Sequence, residues 1–215
     1  LNWTPDFKLA FQILKKAAPY SVFIALMSIY TRMDGFMIEQ LLPNGTYHSG
    51  VYASAYRLLD AASMFSYLLA GILLPIFSKE IANKISSTPT FIKANLIILI
   101  PCIILPLGVS IYKSEIYHFL YPNIYSDYGA EVLNLLSFSF IPLSLVIVFG
   151  TYITALGNVR ALNIISFTCV VLNGILNYWL IPDYQAIGAS WATIATQGLM
   201  AISCIYLSIK HSFKL

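Results

Sequence analysis

The feature that most constrains this chain is the length of its uncharged apolar runs. From Leu96 to Val109 and from Leu143 to Phe149 no charged residue interrupts the sequence. A transmembrane β-barrel would instead show ~10-residue segments of alternating polarity. Composition agrees with a lipid solvent: 59% of residues are hydrophobic, only 10% are charged and the mean hydropathy is +0.77, where a soluble domain carries about 25% charged residues. A bilayer-spanning helix needs ~20 mostly apolar residues, so 215 residues have room for six or seven passes. The fold class expected is all-α, a polytopic membrane protein.

Apolar windows between polar breaks predict six spans, at about 17–42, 51–81, 91–112, 130–156, 161–181 and 186–209. The first is entered through Pro19, in its first turn, and ends at Pro43-Asn44-Gly45. Gly157-Asn158 stops the fourth and Pro182-Asp183 the fifth. Pro101 and Pro106 are sites where the third span can bend. The Lys113 to Tyr128 segment is too polar to span and fits an interfacial helix or a lid. Basic residues mark cytoplasmic ends. Lys8, Lys15, Lys16, Lys79, Lys84, Lys93, Arg160, Lys210 and Lys214 fall on one side, and Lys113 alone on the other. Both termini are therefore expected in the cytoplasm, which requires an even number of spans. Tyr20, Tyr30, Tyr47, Tyr52, Tyr112, Tyr178, Trp179 and Tyr184 lie near span ends, as in an interfacial belt.

Away from the end turns of the spans stand four charged residues, Arg32 and Asp34 in the first and Arg57 and Asp60 in the second. Each costs about 2.5–3.5 kcal/mol at mid-membrane, so such groups face a protein interior or a wet cavity and mark a pathway. At 1.5 Å per residue, Arg32 lies ~22 Å above the cytoplasmic start of its span and Arg57 ~10 Å below the outer surface. In a ~30 Å core the two guanidinium groups share a level, which points to a cationic cavity. Arg57 and Asp60 are spaced i,i+3 and can instead neutralise each other on one helix face. Arg32 and Asp34, two apart, point to opposite sides and need partners elsewhere. At a similar depth Asn173 and Asn177 share one helix face, as do Thr193 and Gln197. With Asp34 they offer one carboxylate and several neutral oxygens, a set suited to a monovalent cation. The same groups could serve only as interhelical hydrogen bonds, worth ~0.6–2 kcal/mol each. Gly188 and Ala192 form a small-xxx-small pair suited to close packing.

These residues carry a resemblance. RMDGFMI at 32–38, GVYASAYRLLD at 50–60, LLPIFSK at 73–79 and LNGILNYWLIPDYQAIGASWATIATQ at 172–197 resemble the second lobe of polysaccharide flippases. These are the O-antigen and capsule repeat-unit transporters of the multidrug/oligosaccharidyl-lipid/polysaccharide exporter superfamily. The resemblance implies one six-helix lobe, residues 1–215, of a two-lobe transporter in the bacterial inner membrane. It would pair with an N-terminal lobe and move undecaprenyl-pyrophosphate-linked glycan by alternating access. Opening at Leu1 rather than Met, the chain is expected to be part of something larger. In the related lipid II flippases a sodium site implies the positions Asp34, Asn173 with Asn177, and Ala189 with Thr193. Asn177 stands where the relative has a carboxylate. The coupling ion implied is Na⁺ or H⁺, and Arg32 and Arg57 would take the pyrophosphate, since arginine suits phosphate.

Other classes fit less well. A multidrug exporter lobe would want an acid for organic cations, and the embedded arginines speak against it. A glycan polymerase or ligase needs polar catalytic groups, yet His48, His118 and His211 are dispersed, so no enzyme is expected. A net charge of +3 without a basic, aromatic-interleaved run gives no nucleic-acid partner. Cys102, Cys169 and Cys204 sit in apolar stretches without paired spacing, as packing residues. Reporter fusions test the orientation. A fusion after Lys84 should show cytoplasmic-type activity and one after Asp183 the opposite; the reverse pattern would invert the topology.

Overall fold

A computed structural model describes residues 7–124 and 126–212. Leu1 and Lys214 lie outside the described residues. The described chain is helical, without strands: α1 (Phe7–Leu41), α2 (Gly45–Ala82), α3 (Thr88–Leu120), a 3-10 turn (Pro122–Ile124), α4 (Asp127–Ala155) and α5 (Val159–Ser212). All five α-helices are long and apolar enough to cross a membrane. Large apolar side chains such as Ile24, Ile72, Ile104, Ile164 and Ile202 stand exposed on α1, α2, α3 and α5, a surface that water would not tolerate at this extent.

Five helices replace the six expected. The break predicted at Pro182-Asp183 is not a loop, because the helical pattern runs from Val159 to Ser212 with the departure confined to Gln185, at φ 56° and ψ −136°. That one residue folds α5 back on itself. The amide of Asn173 reaches Thr196 Oγ1 at 3.4 Å, although in a straight helix residues so spaced would be ~35 Å apart. The two arms touch closely just past the turn, where a Cβ on Gly188 would lie 2.4 Å from the Leu180 carbonyl oxygen. The turn needs no loop because Gln185 alone supplies the left-handed backbone conformation, an arrangement that costs energy in any residue but glycine.

Helix ends also differ from the sequence reading. α1 begins early enough to place Pro19 inside it rather than in the first turn. The Pro19 carbonyl accepts a hydrogen bond from Asn163 Nδ2 at 3.0 Å, which ties α1 to α5. α3 stays helical through Pro101 and Pro106 and departs instead at Tyr112, φ −114° and ψ 25°. The Lys113 to Leu120 stretch is thus a short helical piece joined to the rest of α3 across the kink at Tyr112, consistent with the helical reading of this segment. Ser126 then caps α4, its hydroxyl oxygen accepting from the Gly129 amide at 3.1 Å, which satisfies one of the free N–H groups of a helix start.

α4 is the inner helix: more than half of its apolar window is buried, against less than a third for each of the others. Its faces serve separate buried clusters. One joins Leu59, Phe77, Ile98 and Cys102 to Phe140 and Tyr152; another joins Tyr30, Cys169, Met200 and Cys204 to Val146 and Ile153. The three cysteines are free and buried. Because Gly188 leaves no room for a side chain, Gly188→Val should push the arms of α5 apart and destabilise the protein by about 1–3 kcal/mol. Gly198→Ala, where a Cβ meets nothing, should be neutral or slightly stabilising. Thermal unfolding in detergent checks the pair.

Candidate functional site

Asp34 lies in the middle of the helical assembly with 1% of its surface exposed. A lone carboxylate buried so deeply is costly unless it is hydrogen-bonded, and here α2 and both arms of α5 supply donors. Oδ2 accepts from Tyr52 on α2 at 2.6 Å and from Thr193 on the second arm of α5 at 2.5 Å. Oδ1 accepts from Asn177 Nδ2, on the first arm, at 2.6 Å. The other proton of that amide goes to Asn173 Oδ1 at 3.0 Å. Tyr52 OH and Thr193 Oγ1 lie 3.2 Å apart, and each has a single proton to give. Three such donors on one carboxyl group make charge-assisted hydrogen bonds, the stronger kind, whenever the group is ionised.

A second layer continues from Asn173. Its amide donates to Thr196 Oγ1, which lies 2.7 Å from Tyr30 OH and donates to the Ala192 carbonyl. Tyr30 OH also reaches the Thr193 carbonyl at 3.3 Å. The network therefore links α1, α2 and both arms of α5. Among the described residues, two buried oxygens in this region have no hydrogen-bond partner, Asn177 Oδ1 and Gln197 Oε1.

Of the positions singled out from sequence, Asp34, Asn173, Asn177 and Thr193 come together. Ala189, whose implied contribution is its backbone carbonyl, has its side chain in the apolar cluster with Ile38, Tyr52 and Ile181. Two members of the network, Tyr30 and Tyr52, had been assigned to the interfacial belt, yet both are 3% exposed. Their spacing gives the signal. Tyr30 falls four residues before Asp34 on α1, one turn away on the same face, and is thereby grouped with a buried acid.

Arg32 and Arg57 stand on exposed faces, apart from the Asp34 network. Among the described residues neither takes part in an ion pair within 4.0 Å, and Arg57 does not pair with Asp60. The charge that acts on Asp60 is Arg32 of the neighbouring helix. An apolar groove of about 470 Å³ between α1, α2 and α4 is lined by Phe23, Met27, Thr31, Tyr67, Leu74 and Gly150. On α1 the lining ends at Thr31; Arg32, the next residue, is exposed and is not part of the lining. Among the described residues no group of three or more His, Cys, Asp or Glu could hold a metal ion.

If the three donors hold Asp34 as a carboxylate, Tyr52→Phe should cost about 1.5–3 kcal/mol, the worth of a hydrogen bond to a charged group. Thr193→Val should act similarly, and the double variant should be non-additive by about 0.5–3 kcal/mol, as for partners sharing one atom. Thermal unfolding of the four proteins completes the cycle; strict additivity would mean that the hydroxyls act independently. No protein family, curated protein or solved structure matches the chain.

Proposed function

We propose that this chain is one lobe of a lipid-linked oligosaccharide flippase of the multidrug/oligosaccharidyl-lipid/polysaccharide exporter superfamily, acting in the bacterial inner membrane. The observation that carries the reading is the apolar groove on α1, α2 and α4, whose α1 lining ends at Thr31, the residue before the exposed Arg32. An amphipathic cargo with an isoprenoid tail and a pyrophosphate finds complementary chemistry there, tail against apolar wall and phosphate against arginine. Arg57, on the exposed face of α2, adds a second cation for the same anion. The two arms of α5 act as a fifth and a sixth pass, which returns the C-terminus to the cytoplasmic side, and the exposed face of α1 and α2 is where an N-terminal lobe would close over the cargo.

Coupling falls to the Asp34 network. The residue types fit a proton or Na⁺, with Asp34, Asn173, Asn177 and Thr193 as the oxygens. In the arrangement seen, the hydroxyls and the Asn177 amide present protons, not lone pairs, to the carboxylate. A cation arriving at Asp34 would have to turn these donors away; a proton would displace one of them, and Tyr52 has Thr193 within reach as its alternative partner. Either event loosens the contacts between α1, α2 and α5. A ligand of this kind shifts the inward–outward balance by its differential affinity for the two states.

A drug-exporting lobe is the second reading, favoured by Asp60, an acid beside the apolar groove. The experiment that separates the two uses the full protein in cells and in vesicles. Arg32→Ala and Arg57→Ala, correctly inserted, should lower glycan-lipid translocation by about tenfold or more each, as expected for a lost charge-assisted contact. Wild-type rates in both variants, or raised drug sensitivity without loss of surface glycan on deletion, would refute the flippase.

A further inference from the structure

The opening turns of α1 belong to none of the buried clusters. Every residue from 7 to 18 is exposed, and the hydrogen bond that ties α1 to α5 comes only after this stretch, from Asn163 to the Pro19 carbonyl. Phe7 is 79%, Phe11 70% and Leu14 67% exposed, and large apolar side chains gathered in this way mark an interaction surface. Crossing the bilayer does not require them. α1 has 35 residues, yet the part from Pro19 to Leu41 alone covers ~34 Å, enough for a ~30 Å hydrocarbon core.

Helical geometry sorts the stretch into two faces. Phe7, Phe11, Leu14 and Ala18 lie within an arc of ~60° around the axis, and Lys8, Gln12, Lys15 and Lys16 within one of ~100°. No acidic residue stands anywhere from 7 to 18, and among the described residues neither Lys15 nor Lys16 enters an ion pair. A partner for this helix must offer an apolar layer and negative charge side by side. The headgroup boundary of an anionic leaflet does so, and a basic amphipathic helix lies in its plane. A second basic residue group fits the same plane. Arg160 of α5, one turn before the Asn163 that holds Pro19, is exposed at this end of the bundle, so two separate elements present cations to one surface.

We propose that residues 7–18 are an anchor on an anionic lipid leaflet: bent from the bundle at Pro19, they lie in the headgroup boundary with Phe7, Phe11 and Leu14 in the acyl layer and Lys15 and Lys16 on lipid phosphates. Proline permits the bend, since it has no N–H for the Lys15 carbonyl and its ring crowds that oxygen. Asn163 holds the pivot through the Pro19 carbonyl. Arg32 and Asp34 lie farther along the same helix, so the charge of the leaflet bears on where α1 stands. The anchor depends on the membrane character of the chain and not on any cargo.

The test places a fluorophore on the full-length protein in vesicles, through Phe11→Cys or Gln12→Cys. The native cysteines are buried, and labelling of the unsubstituted protein sets the background. The vesicles are phosphatidylcholine, alone or mixed with phosphatidylglycerol. In the anionic vesicles the label at 11 should be quenched by brominated acyl chains and the label at 12 by acrylamide in the water. Lys15→Gln and Lys16→Gln should each lower the ratio of docked to free label at 11 by about fivefold, the worth of one cation at an anionic surface. Raised KCl should act in the same direction, and decides alone if the charge variants fail to insert. The proposal is overturned if acrylamide reaches both positions alike, which leaves the stretch in water. It is equally overturned if position 11 is shielded to the same extent in both kinds of vesicle and is indifferent to salt and to both lysines, which puts its apolar face on protein or in the hydrocarbon core.

Discussion

One buried carboxylate organises the interior of this protein. Asp34 cannot stay ionised in an apolar medium by itself, so its three hydrogen bonds fix where α2 and both arms of α5 stand relative to α1. Tyr52, Asn177 and Thr193 each bring a different element to the same pair of oxygens. In a bilayer, where apolar burial contributes little to helix association, such polar contacts and close packing of small residues are what hold helices together. α4 supplies the complementary half of the design. It contributes no hydrogen bond to Asp34 and instead fills the apolar clusters around it. The assembly thus has a packed spine and a polar clasp.

The charged groups divide by depth in the protein rather than by depth in the membrane. Asp34 is inside and satisfied, whereas Arg32, Arg57 and Asp60 line outer faces, with Arg32 and Asp60 close enough to influence each other. Alternation along α1 produces the split: Arg32 and Asp34, two residues apart, are ~200° apart around the helix axis. The same helix therefore carries an internal clasp on one face and an exposed cation on the other. Movement of α1 would be felt on both faces at once.

Much of the interior was legible in the sequence because helical periodicity is a strong signal. Asn173 with Asn177, and Thr193 with Gln197, are one turn apart, and a polar pair of that spacing within an apolar span must face other protein. Asp34 was legible because a charge in such a span needs partners. Tyr30 and Tyr52 were misplaced because tyrosine serves equally well at an interface and in a core, and position near a span end does not separate the two. The i,i+3 spacing allowed Arg57 to neutralise Asp60, yet the charge that acts on Asp60 is Arg32 of the neighbouring helix, since proximity between helices leaves no trace in the local pattern. The reversal at Gln185 was also hidden. Pro182-Asp183 is a conventional break, yet the chain stays helical past it and turns at a residue with no special turn propensity.

That reversal has a consequence for how the chain can vary. Asn177 and Thr193 sit equally far, in residues, on either side of Gln185, and they meet on one carboxylate only because the two arms are matched in length and rotation. Adding or removing a single residue in either arm would turn everything beyond it by ~100° and shift it by ~1.5 Å. The Thr193 hydroxyl would then leave Asp34. Surface connections elsewhere in the chain can lengthen at small cost, but the hairpin of α5 behaves as a ruler with its zero mark at Gln185.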